Sequence, residues 1–173
     1  MKRPIRIEGD LAYVPLTGGY EAVIDASDAA LVGGWNWFAK PEYKRDGSIR
    51  AVYAARKETL GMGKQRDVLM HRVIAGTAAN LETDHRDGNG LNNRRTNLRD
   101  ATKAQNRRNR ATRIDSQTGA KGVYLHTDKK KWRAQIFADG KRRHLGLFET
   151  MEEASSAYAE ASARWHGDFG RVA

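Results

Sequence analysis

The chain has 173 residues, enough for one ordinary domain or two to three small ones, and its 39% apolar content fits a soluble protein with no run near the roughly 18 apolar residues that span a membrane. It lacks cysteine, which excludes disulfides and cysteine-bound zinc and fits a reducing cytosol. The net charge of +10 sits almost wholly in residues 61–173, with 22 Lys/Arg against 13 Asp/Glu, the footprint of a nucleic-acid binder.

The first residues, MKRPIRIEGD, carry no apolar segment after their basic residues, so no secretory signal is expected. Tyr13–Leu16 and Glu21–Ile24 flank Gly18-Gly19, a hairpin pattern. Asp25 precedes a short apolar helix, Ala26 to Val32, closed by Gly33-Gly34. Trp35, Trp37 and Phe38 are expected to pack on that sheet. A polar turn, Lys44 to Ser48, leads into an extended stretch over Ile49–Thr59, and a helix begins around Leu69–Ile74 and ends near Gly76. Gly88, Asn89 and Gly90 form a tight loop with Leu91 and Leu98 as apolar anchors. Thr102 with Gln105 is a capping-box pattern that predicts a helix from about Lys103 to Arg110, with Asn106 in its second turn. Residues 114–120 read as a linker. Beyond it, alternating apolar residues give three short strands, with Asp139-Gly140 as a two-residue hairpin turn. Thr150 and Glu153 cap a helix whose apolar face is Met151, Ala154, Tyr158, Ala161 and Trp165, and Gly167 ends it.

The most informative run is Asp84 to Arg110, DHRDGNGLNNRRTNLRDATKAQNRRNR. Phosphodiester cleavage needs a nucleophilic water, a Lewis acid and stabilisation of the departing oxygen. Histidine suits the first task, because its unperturbed pKa lies near neutrality. Carboxylate and amide oxygens suit hard ions such as Mg2+. Consecutive strand residues face opposite sides, so Asp84 and His85 share a site only if the strand ends there, and Arg86–Gly90 supplies that turn. Eight Lys/Arg between Arg94 and Arg113, against Asp100 alone, favour a phosphate-facing surface.

This run resembles the HNH, or ββα-metal, nuclease family, in the Asn-ended form common among phage homing endonucleases. The matching residues are D-H, G-N-x-x-x-N, N-L-R and A-T-x-x-x-N-x-x-N. The resemblance implies that Asp84 and Asn106 bind one Mg2+ (or Mn2+) and that His85 is the general base. Asn97 would hydrogen-bond across the loop to hold His85. His71, in a His-Arg pair with Arg72, would support the site from behind or touch a phosphate. Arg72, Arg94, Arg95, Lys103, Arg107, Arg108 and Arg110 would contact DNA.

Residues from Lys121 onward resemble the DNA-binding domain of plant APETALA-two/ethylene-response-factor regulators. The carrying residues are Gly122-Val123-Tyr124, K-W-R-A-Q-I, H-L-G-L-F-E-T-x-E-E-A, Ala157-Tyr158 and H-G-D. The resemblance implies a sheet laid in the major groove, with Tyr124, His126, Arg133, Gln135, Arg142 and His144 facing the duplex.

The expected architecture is therefore α+β. An HNH domain over residues 1–113 holds strands in 1–60 and a ββα-metal core near 69–110. A linker spans 114–120, and a three-stranded antiparallel sheet packed on one helix fills 121–173. The expected function is a site-directed DNA endonuclease, a homing endonuclease that nicks. It would act as a monomer on double-stranded DNA in the cytoplasm of a bacterial host, without membrane or small-molecule partners. The alternative is a non-catalytic DNA-binding regulator with a decayed nuclease fold. An RNA-binding protein is weaker, because the sequence offers no obvious base-stacking pair on the C-terminal sheet.

Overall fold

The computed structural model describes residues 3–109, 118–127 and 130–170. Arg110, Arg113, Lys129 and most of the expected linker lie outside them. The protein is mixed α+β, with several small antiparallel sheets and few helices, in two compact units, Met1–Lys103 and Ala104–Ala173. The expected division at 113–121 thus lies later in the chain than the observed one, and the helix carrying Asn106 is counted with the second unit.

In the first unit, β1 (Arg6–Glu8), β2 (Leu11–Pro15) and β3 (Glu21–Asp25) form one sheet. Their alternation buries Ala12, Val14, Ala22 and Ile24 on one face. The expected short helix is a 3-10 turn, Ala26–Asp28, running into α1 (Ala29–Val32). β4 (Phe38–Tyr43), β5 (Ile49–Gly61) and β6 (Lys64–Leu69) form a second sheet, in which β4 holds Pro41 as an edge strand must. α2 (Met70–Ala75) is stopped by Gly76 at φ 66°. Then β7 (Glu82–His85) pairs with β8 (Leu98–Ala101). The core between these elements gathers Val14, Ile24, Val32, Trp37, Met70, Ile74 and Leu98. Trp37 is buried with its indole N–H satisfied by Val32 O at 2.9 Å. Trp35 is not in this core. It is more than half exposed, with the Arg56 guanidinium 4.1 Å above its ring.

The second unit begins with α3 (Lys103–Asn109 as a whole helix, counted from Ala104 in this unit). β9 (Val123–His126), β10 (Lys131–Ala138) and β11 (Lys141–Phe148) form a sheet in the order β11-β10-β9, and α4 (Met151–His166) packs on it. The expected hairpin turn is present, with φ of 50° at Asp139 and 74° at Gly140. Thr150 and Glu153 form the capping box, and Gly167 ends α4. Val123, Ala134, Ile136, Ala154, Tyr158 and Ala161 make the core.

Candidate functional site

β7 ends at His85, as the shared-site argument requires, and the chain turns at once: Gly88 N donates to His85 O at 3.0 Å. Asp84 and His85 are both buried. The residue that holds the His85 ring is Asn93, whose Oδ1 lies 3.1 Å from His85 Nε2. Asn93 is fully buried and its amide N–H groups point elsewhere, to Met70 Sδ at 3.7 Å and Leu91 O at 3.4 Å. Asn97, expected in that role, instead binds the loop. Its Nδ2 donates to Asp87 Oδ1 at 2.9 Å and Asn92 O at 2.8 Å, and its Oδ1 accepts from Asp87 N at 3.1 Å. Both carboxamides lie in one short polar run, and spacing alone does not say which reaches the ring.

The loop is braced from far away in sequence. Asn93 N donates to Val23 O at 2.7 Å, and Val23 N donates to Leu91 O at 2.8 Å, so β3 pairs with the loop. Gly90 lies so close to β5 that a Cβ would stand 2.5 Å from Val52 O and 2.6 Å from the Tyr53 ring. Arg94 and Arg95, expected on DNA, take part in this bracing with 39% and 54% of their side chains still exposed. Arg94 Nε donates to Asp25 Oδ1 at 2.9 Å, and Arg95 Nη2 donates to the buried Asp28 at 2.7 Å. Arg72 also binds backbone oxygens: its Nη1 donates to Leu81 O at 2.9 Å and its Nη2 to Ala78 O at 3.2 Å. Each of the three guanidiniums answers a nearby acceptor. Asn97→Ala would remove one of the donors to Asp87 and leave Asp87 N and Asn92 O without their Asn97 partner, and is expected to cost about 1–3 kcal/mol of stability, read by thermal unfolding. A loss below a few tenths would show that the loop does not depend on it.

Asp84 pairs across the hairpin with Arg99, its register partner. Arg99 Nε donates to Asp84 Oδ2 at 2.8 Å, and the side chains are 5% and 8% exposed, a buried ion pair. Asp87 carries opposing influences. Burial raises its pKa, but donors from Asn89, Asn92 and Asn97 outweigh that and hold it below the usual carboxylate range.

His71 enters the site from α2. Its ring lies 4.9 Å from that of His85 and 5.6 Å from that of Tyr53, both near edge-to-face. Only 5% exposed, it makes no hydrogen bond among the described residues, and its Nδ1 is a buried atom without a partner. Burial, then the nearby His85 and Arg72, push its pKa down to about 3. Burial likewise lowers that of His85, against the opposing pull of Asn93, Asp87 and Asp84. For His71 the folded value lies below the unfolded one near 6.5, so the neutral ring's contribution is complete above pH 6.5 and is lost as pH falls toward 3. At pH 5 the loss is about 2 kcal/mol. The wild-type chain should therefore lose more thermal stability between pH 7.5 and pH 5 than His71→Phe, and equal losses would contradict the assignment.

In the second unit, Asn106 lies half-buried on α3, where Arg107 is exposed and Arg108 half-buried. Lys103, the first residue of that helix, is exposed. The six expected duplex-facing residues share one side of the sheet. Register pairs Tyr124 with Arg133 and Gln135 with His144, while Ala134, Ile136 and Ala138 point to α4. Phe137, paired with Arg142, belongs to the same face and was not foreseen. It is 59% exposed and Tyr124 52%. The face therefore does hold two aromatic rings, contrary to the expectation of no stacking pair. The signal was the period-two position of Phe137 on β10.

Fold and site together define a two-unit α+β protein with a buried, asparagine-held histidine at a hairpin end and a small sheet-and-helix unit with a basic, aromatic outer face. Over 88 residues the chain is 32% identical to Protein 3.8 of Escherichia phage T7, an overlap of 51% of this chain and 72% of that protein. The chain belongs to the family of that phage protein. No protein-family model and no solved structure matches it. Among the described residues no helix is long and apolar enough to cross a membrane.

Proposed function

We propose that the chain is a site-directed DNA endonuclease of the HNH type, which hydrolyses one phosphodiester bond of duplex DNA with His85 as general base and one divalent ion. The observation that carries this reading is the contact between His85 Nε2 and Asn93 Oδ1. An amide oxygen only accepts, so Nε2 holds the proton and Nδ1 carries the lone pair. A ring fixed in this tautomer, with its pKa lowered by burial, is neutral at pH 7 and is suited to take a proton from water.

Asp84 is the proposed carboxylate ligand; Asn106, which the family resemblance pairs with it, lies on α3 in the second unit. Among the described residues no three His, Cys, Asp or Glu side chains gather. A single carboxylate with amide oxygen is the donor chemistry of a hard ion that keeps several waters, Mg2+ or Mn2+. Such an ion, when bound, supplies Lewis-acid stabilisation of the departing 3′-oxygen. Arg99 holds Asp84 Oδ2 and so fixes the orientation of the carboxylate. His85 removes the proton from the attacking water, leaving 5′-phosphate and 3′-hydroxyl ends. The outer face of the C-terminal sheet, with Arg133, Gln135, Arg142 and His144, docks on adjacent duplex, where Arg and Gln read base edges. Lys103, Arg107 and Arg108, with Arg72, Arg94 and Arg95, are the candidates for phosphate contacts among the described residues. Membership in a phage family supports a mobile element acting in a bacterial host.

One observation favours the rival reading of a non-catalytic DNA-binding regulator: the Asp84 charge is already compensated by Arg99. Supercoiled plasmid separates the two. Conversion to the open-circular form with Mg2+ or Mn2+, and none with a chelator, is expected of the nuclease. Plasmid bound but left intact with either ion would establish the regulator.

A further inference from the structure

The sheet of the C-terminal unit is incomplete at one edge. Gln135 N donates to Gly122 O at 2.9 Å, and beyond that rung β10 is flanked by β11 alone among the described residues. A cavity of about 440 Å3 opens there, lined by Lys121, Tyr124, Gln135, Phe137, Arg142 and Tyr158 among others. Its size falls within the roughly 300–1,000 Å3 of small-ligand sites.

The fold has no use for the two rings that border it. The core of this unit closes between α4 and the inner sheet face without Phe137 or Tyr124, which stay 59% and 52% exposed. Gln135 stands between their positions on the same face, two residues before Phe137 and diagonal to Tyr124. Arg142, opposite Phe137, is exposed and makes no ion pair among the described residues. Among the described residues no acidic side chain lines the cavity.

We infer that this notch binds an unstacked nucleobase of a single-stranded nucleic acid. Base faces are covered in a duplex, so exposed rings gain contact only from bases that have left the stack. Phe137 and Tyr124 stack on bases, the Gln135 amide, both donor and acceptor, meets a base edge, and Arg142 pairs with the backbone phosphate. This binding shares Gln135 and Arg142 with the proposed duplex docking and adds stacking on Phe137 and Tyr124, and it stands whether or not the first unit cuts DNA.

The test uses the full chain with a chelator present, so that cleavage plays no part. Fluorescence anisotropy would follow a labelled mixed-sequence DNA single strand, its RNA counterpart and the same DNA as duplex. Phe137→Ala is expected to weaken single-strand binding by about 5- to 100-fold while moving duplex binding by about twofold or less. Phe137→Trp should keep single-strand affinity, and Tyr124→Phe should do the same, because the ring suffices. A 2-aminopurine placed in the strand should be quenched on binding in the wild type and less in Phe137→Ala. The RNA and DNA arms identify which strand is preferred, and similar affinities are expected of stacking on base faces. The inference is overturned if the wild-type chain ignores single strands, if Phe137→Ala leaves their binding unchanged, or if single-strand and duplex affinity fall together.

Discussion

Replacing His85 with alanine is expected to lower the rate of metal-dependent plasmid nicking by about 100- to 10,000-fold, the usual contribution of a positioned general base. The loss should appear in turnover with DNA affinity nearly unchanged, because the ring is buried and offers little surface to bind with. Asn93→Leu tests the same assignment from the other side. It removes the acceptor that keeps the proton on Nε2, so both tautomers become available and the rate falls while His85 itself is intact. Because burial lowers the pKa of His85, the wild-type rate should rise with pH below 6.5 and be level by pH 7. Nicking by His85→Ala at the wild-type rate, with a circular dichroism spectrum showing an intact fold, would remove His85 from the chemistry.

The second large effect concerns stability rather than chemistry. Gly122→Val is expected to unfold the C-terminal unit at moderate temperature. Gly122 has φ of 66°, and a Cβ there would stand 2.3 Å from Gln135 O and 2.4 Å from the Tyr158 ring. Backbone strain of about 1–3 kcal/mol adds to a clash that neither a strand nor a core ring can relieve. A total near 3 kcal/mol lowers the melting temperature by about 12–24 °C for a unit this small. Calorimetry of the full chain reads this directly, and an unchanged transition would mean that the notch edge is looser than its geometry implies. The same substitution should abolish the proposed duplex docking by the sheet face, whereas a Cβ at Gly140 would meet no atom within 4 Å and Gly140→Val is strained chiefly by its φ of 74°.

Much of the C-terminal unit was legible in the amino-acid order because its signals are local. Period-two alternation, Asp139-Gly140 and the Thr150/Glu153 box each act within a few residues, and the sheet and helix follow from them. The end of β7 at His85 was legible for the same reason, since the glycine-rich turn follows directly. β4 and β6 were not foreseen. Pro41 interrupts the first and Lys64-Gln65-Arg66-Asp67 gives the second no apolar rhythm, so both are strands only because β5 lies between them.

Sequence by itself determined the kinds of side chain available at the hairpin: a few carboxylates, one imidazole and a set of carboxamides in a basic run. Tertiary structure alone decided which of them meet. It chose Asn93 over Asn97 for the His85 ring, set His71 and Tyr53 beside it, and paired Arg94 and Arg95 with Asp25 and Asp28. The reason is that a hydrogen bond or ion pair depends on distances of a few ångströms, and partners some seventy residues apart reach such distances only after β3 and β5 have packed against the loop.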